Sequence, residues 1–280
     1  MITIQKALKE SIMFQTNKTD WLNDKLAEKG LLVSSHNSFN KYLGYNNLNY
    51  DISIRFIGNA KLKYNYLLII IVDDINDFTP NNQIKKFLSK LSEKFAKQIY
   101  TIVSSRNEEE ILFLTSLNGI DFIKSDTNGL KLFFKHINAQ YIENIGVTKT
   151  VNKSINDNFQ KWTRANLSMY ITINDFDVVA IDSPKIFILE LKRVEEDINT
   201  WLPYLDDYAN YKACDVIIED LGLDLNHFRT VAYNTNNENE IAICILTSIE
   251  KNKYKLFKEV SPFENLFKKP KYFESTFRRV

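Results

Sequence analysis

Glycine, proline, cysteine and histidine are all scarce in this chain: its 280 residues include seven Gly, five Pro, two Cys and three His. The glycines (30, 44, 58, 119, 129, 146, 222) each stand alone. That excludes the clustered glycines with which a dinucleotide fingerprint or a P-loop brings backbone amides against phosphate, so no nucleotide cofactor is expected. Cys214 and Cys244 are too few for a disulfide framework or a structural zinc site, and His36, His136 and His227 have no ligand spacing. A Ser nucleophile elbow is missing, which removes the serine hydrolases. Long apolar runs are missing as well. The most intense, LLIIIV at Leu67–Val72, falls far short of the roughly 20 residues that cross a bilayer. The opening MITIQKALKESIMFQ has no continuous apolar core of the kind a signal peptide carries. These absences predict a soluble cytoplasmic protein with no membrane partner.

What is present is a globular composition, 44% hydrophobic and 25% charged, in a chain long enough for two domains. In the first half, a helix over Asp20–Lys29 stops at Gly30, and strands follow at Asp51–Ile57 and Tyr66–Val72. Thr79-Pro80 offers an N-cap and a first-turn proline to a helix whose Ile84, Phe87, Leu88, Leu91 and Phe95 recur at helical spacing. Strands near Gln98–Ser104 and Ile111–Leu117 continue an alternating α/β pattern. The pattern changes around Glu143–Gly146, which divides the chain into an N-terminal α/β domain, 1–145, of unassigned role, and a second domain, 146–280. In the second, the pattern predicts a helix over Val151–Trp162, three strands (about 167–174, 176–182 and 185–192) as a run of β-hairpins, a helix within Asp197–Asp220, and strands at Thr230–Asn234 and Glu240–Ser248.

The stretch DFDVVAIDSPKIFILELKR, Asp175–Arg193, is almost wholly apolar between its charged ends. Side chains alternate along a strand, so Glu190 and Lys192 share a face while Leu189, Leu191 and Arg193 share the other. Asp182-Ser183-Pro184-Lys185 is turn chemistry that folds the stretch into a hairpin. A two-residue loop at Ser183-Pro184 sets Asp177 opposite Glu190. With Pro184 in the first central position the register moves by two and Asp177 faces Lys192. A three-residue loop sends Asp177 to the other face. Two carboxylates brought close repel unless a cation lies between them, and hard oxygen ligands suit Mg²⁺, with Mn²⁺ as a substitute. A lysine beside such an ion can orient water and stabilise charge building on a phosphate. The alternative is an ion pair at a solvated sheet end.

FDVVAI followed after a turn by IFILELK resembles the core of the PD-(D/E)xK nuclease superfamily, over about residues 146–250. The resemblance implies a restriction endonuclease-like domain with a central mixed β-sheet flanked by helices, hence α/β overall. It implies Asp177 and Glu190 as metal ligands joined by the Leu191 carbonyl, and Lys192 as the catalytic lysine. The activity implied is that of a hydrolase, a magnesium-dependent DNA endonuclease of restriction or defence type. A junction-resolving or mobile-element nuclease is a second reading, and a catalytically inactive nucleic-acid-binding protein with a nuclease-like fold is a third. DNA is the partner implied, and a homodimer would let two sites cut two strands. Phe176 stands where the superfamily's proline is, and the preceding helix offers only Asp157 and Gln160, with Glu143 upstream. YLDDY at Tyr204–Tyr208 is weakly similar to a tyrosine-bearing helix of some members.

Two further signals remain. Asp73-Asp74 closes an apolar strand, but the spacing to the next strand leaves no room for a response regulator's phospho-acceptor, so a solvated strand end is the better reading. Residues 251–280 hold nine Lys/Arg against three Glu, interleaved with seven aromatics. Lys268, Lys269, Lys271, Arg278 and Arg279 are therefore candidate DNA contacts. The competing reading is that Phe263, Phe267, Phe273 and Phe277 pack onto the domain beneath solvated lysines.

Overall fold

The computed structural model describes residues 21–34, 37–44, 52–59, 66–73, 78, 81–105, 113–137, 158–167, 171–180, 186–234, 237–250, 253–268 and 274–278. The boundary expected near residue 145 lies outside them. The chain is α/β and divides into two compact units. One takes Met1–Val33, Val178–Tyr208 and Asp224–Val280, and the other takes Ser34–Asp177 and Ala209–Leu223. Both units therefore draw on both halves of the sequence. No helix among the described residues is long and apolar enough to cross a membrane.

In chain order the elements are α1 (Trp21–Glu28), β1 (Leu32–Val33), α2 (Asn37–Tyr42), β2 (Ile52–Asn59), β3 (Tyr66–Asp73), α3 (Asn82–Phe95), β4 (Ile99–Ser104), β5 (Phe113–Ser116), β6 (Ile123–Ser125), α4 (Thr127–Ile137) and α5 (Asn158–Asn166). They continue with β7 (Ile171–Phe176), β8 (Val178–Ala180), β9 (Phe187–Val194), α6 (Tyr208–Asp220), β10 (Phe228–Asn234), β11 (Asn237–Glu250), β12 (Lys253–Pro262) and β13 (Glu274–Arg278).

Each unit is built on one mixed sheet. The larger has the order β1-β8-β9-β10-β11-β12-β13 and the smaller β6-β5-β4-β3-β2-β7. In the larger sheet β9 and β10 are, among the described residues, the one parallel pair, so a connection must carry the chain from the end of one to the start of the other, and it holds α6. In the smaller sheet β3 and β4 are parallel and α3 makes the crossover. That helix buries Ile84, Phe87, Leu88, Leu91 and Phe95, the stripe its spacing predicts. Its N-cap is Asn81, whose side chain accepts from the backbone N–H groups of Gln83 and Ile84; the expected cap, Thr79-Pro80, lies outside the described residues. It ends at Ala96, a non-glycine residue in the left-handed region at φ 47°. Helix α1 ends as expected, with Gly30 at φ 77° and Leu31 N–H donating to the Leu26 carbonyl.

Two sequence expectations are corrected. The strand expected at 167–174 does not form a hairpin with the next one. It is β7, which pairs with β2 in the smaller sheet, whereas β8 pairs with β9 and β1 in the larger. The chain changes sheets at Asp177, burying Phe176 in one and Val178 in the other. The helix expected within Asp197–Asp220 is present as α6, from Tyr208 to Asp220. Pro203 disfavours helical backbone for the residue before it, and residues 195–204 instead run as a loop that buries Trp201 against Val194, Ala232, Ala242 and Cys244. Finally, residues 251–280 are not only a basic tail. Lys253–Pro262 is a strand along β11 that buries Tyr254 and Leu256 while Lys255 is exposed, and Glu274–Arg278 pairs with it.

Candidate active site

Strand β9 divides its residues between two environments. Leu189 joins a core with Leu22, Leu26, Val33, Val178, Val231 and Ile243, and Leu191 packs against it. Glu190 and Lys192 point to the other face, as alternation requires. There Val194, Ala232 and Ala242 continue as apolar floor under Trp201. The β8–β9 register pairs Val178 with Leu189, Val179 with Ile188 and Ala180 with Phe187. This is the register that the two-residue loop predicts. The loop itself lies outside the described residues.

Lys192 Nζ is 3.0 Å from Glu190 Oε1 and 3.0 Å from Asp207 Oδ2. The side chains are 12% (Glu190), 21% (Lys192) and 28% (Asp207) exposed. Burial alone would lower the lysine's pKa. The charges and hydrogen bonds of Glu190 and Asp207 outweigh it and hold the ammonium above the ordinary lysine value. Lys192 is thus a fixed cation, suited to orienting groups and stabilising negative charge but not to accepting a proton.

The sequence reading missed Asp207. It sits in a short 3₁₀ turn, Leu205–Asp207, that leads directly into α6. The signal was available in YLDDY: an acidic pair four and three residues after Pro203, at a helix start, where carboxylates are favoured.

Three ladders extend the Glu190 face across the sheet. Glu190 is paired with Thr230, Thr230 with Cys244, and Cys244 with Lys258, so the four form one row. Lys258 donates to the carbonyls of Asn199 (2.8 Å) and Trp201 (2.6 Å), and Tyr254 Oη donates to Pro203 (2.6 Å), which fastens the 197–204 loop over this face. Within the row, Thr230 Oγ1 is buried without a hydrogen-bond partner among the described residues.

Asp177 belongs to the other compact unit, in the half-buried bend before Val178, and its carbonyl accepts from Ser34 N–H at 2.8 Å. The structure thus brings Glu190 and Lys192 together and adds Asp207 to them. Of the residues considered in place of a first-helix acid, Asp157 and the upstream Glu143 lie outside the described residues, and Gln160 is in α5. Among the described residues no three His, Cys, Asp or Glu side chains gather closely enough to hold a metal ion. The donor chemistry at Glu190 and Asp207 nonetheless fits a hard cation, being carboxylate oxygen free of thiol and imidazole. Lys192 supplies the positive charge between those carboxylates.

The five basic residues proposed for DNA divide differently. Lys268 is exposed and donates to Asn265 Oδ1 at 2.7 Å. Arg278 lies in β13, on the outermost strand of the larger sheet, while Lys269, Lys271 and Arg279 lie outside the described residues. Of the aromatics between them, Phe263 is buried in the core and Phe267 packs against it, so neither is available to stack on a base.

The chain matches no protein-family model, no curated protein and no solved structure.

Proposed function

We propose that the chain is a metal-dependent endonuclease hydrolysing DNA phosphodiester bonds, with a site resembling that of the PD-(D/E)xK superfamily. The observation that carries the reading is the side-by-side placement of Glu190 and Lys192 on one face of β9.

In this reading Glu190 and the Leu191 carbonyl would hold Mg²⁺, for which Mn²⁺ could substitute. The bound ion supplies Lewis-acid polarisation of a phosphoryl oxygen and a more acidic water. Lys192 holds the attacking water in line and stabilises charge on the phosphate, and Asp207 keeps its ammonium in place. Restriction-type defence is the biological setting we favour, and comparison of branched with linear substrates separates it from a junction-resolving or mobile-element role.

The test is incubation of supercoiled plasmid with Mg²⁺, comparing parent with Glu190→Ala and sequencing the ends. The parent should nick or cut, leaving 5′-phosphates, and the variant should not. Absence of cleavage by the parent on any DNA or RNA, or equal cleavage by the variant, overturns the reading. One observation favours an inactive nucleic-acid-binding protein instead: Lys192 already satisfies Glu190 and Asp207 as a closed carboxylate–ammonium–carboxylate chain. DNA binding that survives Lys192→Ala, without cleavage by the parent, would select it.

A further inference from the structure

We infer that Thr230 is a positioning residue for Glu190, its hydroxyl held in reserve for that carboxylate when it turns from Lys192 toward a divalent cation. The inference rests on the metal-dependent reading above and deepens it.

Thr230 is 1% exposed, and its Oγ1 lacks a hydrogen-bond partner among the described residues. Buried hydroxyls are satisfied in most folded proteins, and one left unpaired is a cost the fold bears for a reason. At this position valine would have the same shape, suit a strand equally well, and leave nothing unsatisfied. The parallel register sets Glu190 directly beside Thr230 on the same face, and residues so paired lie about 5 Å apart at Cβ. On its other side the row continues with Cys244, whose buried thiol is a weak acceptor. The strong acceptor among its two row neighbours is therefore the Glu190 carboxylate.

Asp207 explains how Glu190 can be released. Lys192 is bonded to both carboxylates, so when Glu190 turns away the ammonium keeps Asp207 and is not left unpaired. Glu190 in turn exchanges its bond to Lys192 for the cation and the Thr230 hydroxyl. Hydrogen-bonded outer partners of metal ligands are worth about 10- to 100-fold in affinity.

The experiment measures Mn²⁺ binding to the full chain by calorimetry, and urea unfolding with chelator present, for parent, Thr230→Val, Thr230→Ser and Glu190→Gln. Thr230→Val should unfold at the same or higher urea concentration than parent, yet bind Mn²⁺ about 10-fold or more weakly. Thr230→Ser should keep parental Mn²⁺ affinity within about 3-fold and Glu190→Gln should lose binding. Parental affinity in Thr230→Val overturns the inference while leaving the metal site standing. Marked destabilisation of Thr230→Val without cation also overturns it, since the hydroxyl would then have a partner already. A parent that binds no Mn²⁺ overturns the metal-dependent reading itself, and this inference with it.

Discussion

Lys192 reaches Asp207 as closely as it reaches Glu190, 3.0 Å in each case, although fifteen residues separate it from the first and two from the second. The ammonium thereby ties the 3₁₀ turn at the start of α6 to strand β9. Replacing it with methionine keeps the bulk and removes the cation, leaving two largely buried carboxylates without their shared partner. Breaking a pair of this kind costs several kcal/mol when fully buried, and about 2 kcal/mol is expected here because each group keeps some contact with water. Asp207→Asn should cost less, about 1 kcal/mol, since Lys192 retains Glu190. Urea unfolding in the presence of chelator checks both, and a reversed order would show that Asp207 anchors the lysine more strongly than Glu190 does.

The ends of α3 give a second prediction, independent of the site. Asn81→Ala removes the acceptor for two first-turn N–H groups and should cost about 1 kcal/mol. Ala96→Gly should act oppositely, because alanine at φ 47° pays a steric cost that glycine does not. A gain of about 1 kcal/mol is expected. The two urea midpoints should move in opposite directions.

These cases also show what the sequence could and could not reveal. The stripe Ile84, Phe87, Leu88, Leu91 and Phe95 was legible because helical periodicity depends only on local spacing. So was the sharing of one face by Glu190 and Lys192, which strand alternation alone dictates. The partner of Lys192 was not legible, because Asp207 arrives through a loop whose path is set by Pro203 and by burial of Trp201 against Ala232 and Cys244. Likewise nothing local says that β7 leaves its neighbour β8 to pair with β2. Strand partners are chosen by long-range burial, and Phe176 satisfies its own by packing near Phe56 and Phe95. Strand β12 was overlooked because its lysines dominated the reading, although KYKL at its start alternates polar with apolar, the signature of a half-buried strand.

Alkaline pH should weaken the larger-sheet unit. Burial pushes the Cys244 thiol up to about 12, and burial together with Cys244 pushes the Tyr254 phenol to about 12. Both groups ionise more readily once unfolded, so between pH 9 and pH 12 the native state binds more protons and stability falls as pH rises. The loss attached to Tyr254 begins near pH 10. Tyr254→Phe should therefore be less stable than parent at pH 7 by about 1 kcal/mol, the bond to the Pro203 carbonyl being gone, and should lose less stability than parent between pH 10 and pH 12. Neither cysteine should react with a thiol reagent at pH 8 until urea unfolds the chain, because Cys214 and Cys244 are both buried.

Arg229 offers the last test, on the opposite side of the sheet from Thr230. It is 2% exposed. Its Nε donates to the Asn226 carbonyl at 3.0 Å, and its Nη1 donates to the carbonyls of Leu266 and, at 3.1 Å, Lys268. Burial lowers its pKa to about 10, against the opposing pull of Asp224 and Glu259. A guanidinium is needed because one planar fork must serve carbonyls in two directions, and its plane also lies over Phe187, 5.4 Å from the ring centroid. Lysine in its place brings a single ammonium that cannot reach both Asn226 and Leu266 in the same geometry. Arg229→Lys should thus cost about 2 kcal/mol and release the strap at Leu266–Lys268, seen as faster tryptic cleavage after Lys268 under native conditions. If cleavage there stays at the parental rate while global stability drops, Arg229 supports the core alone and the strap is held by Phe263 and Leu266.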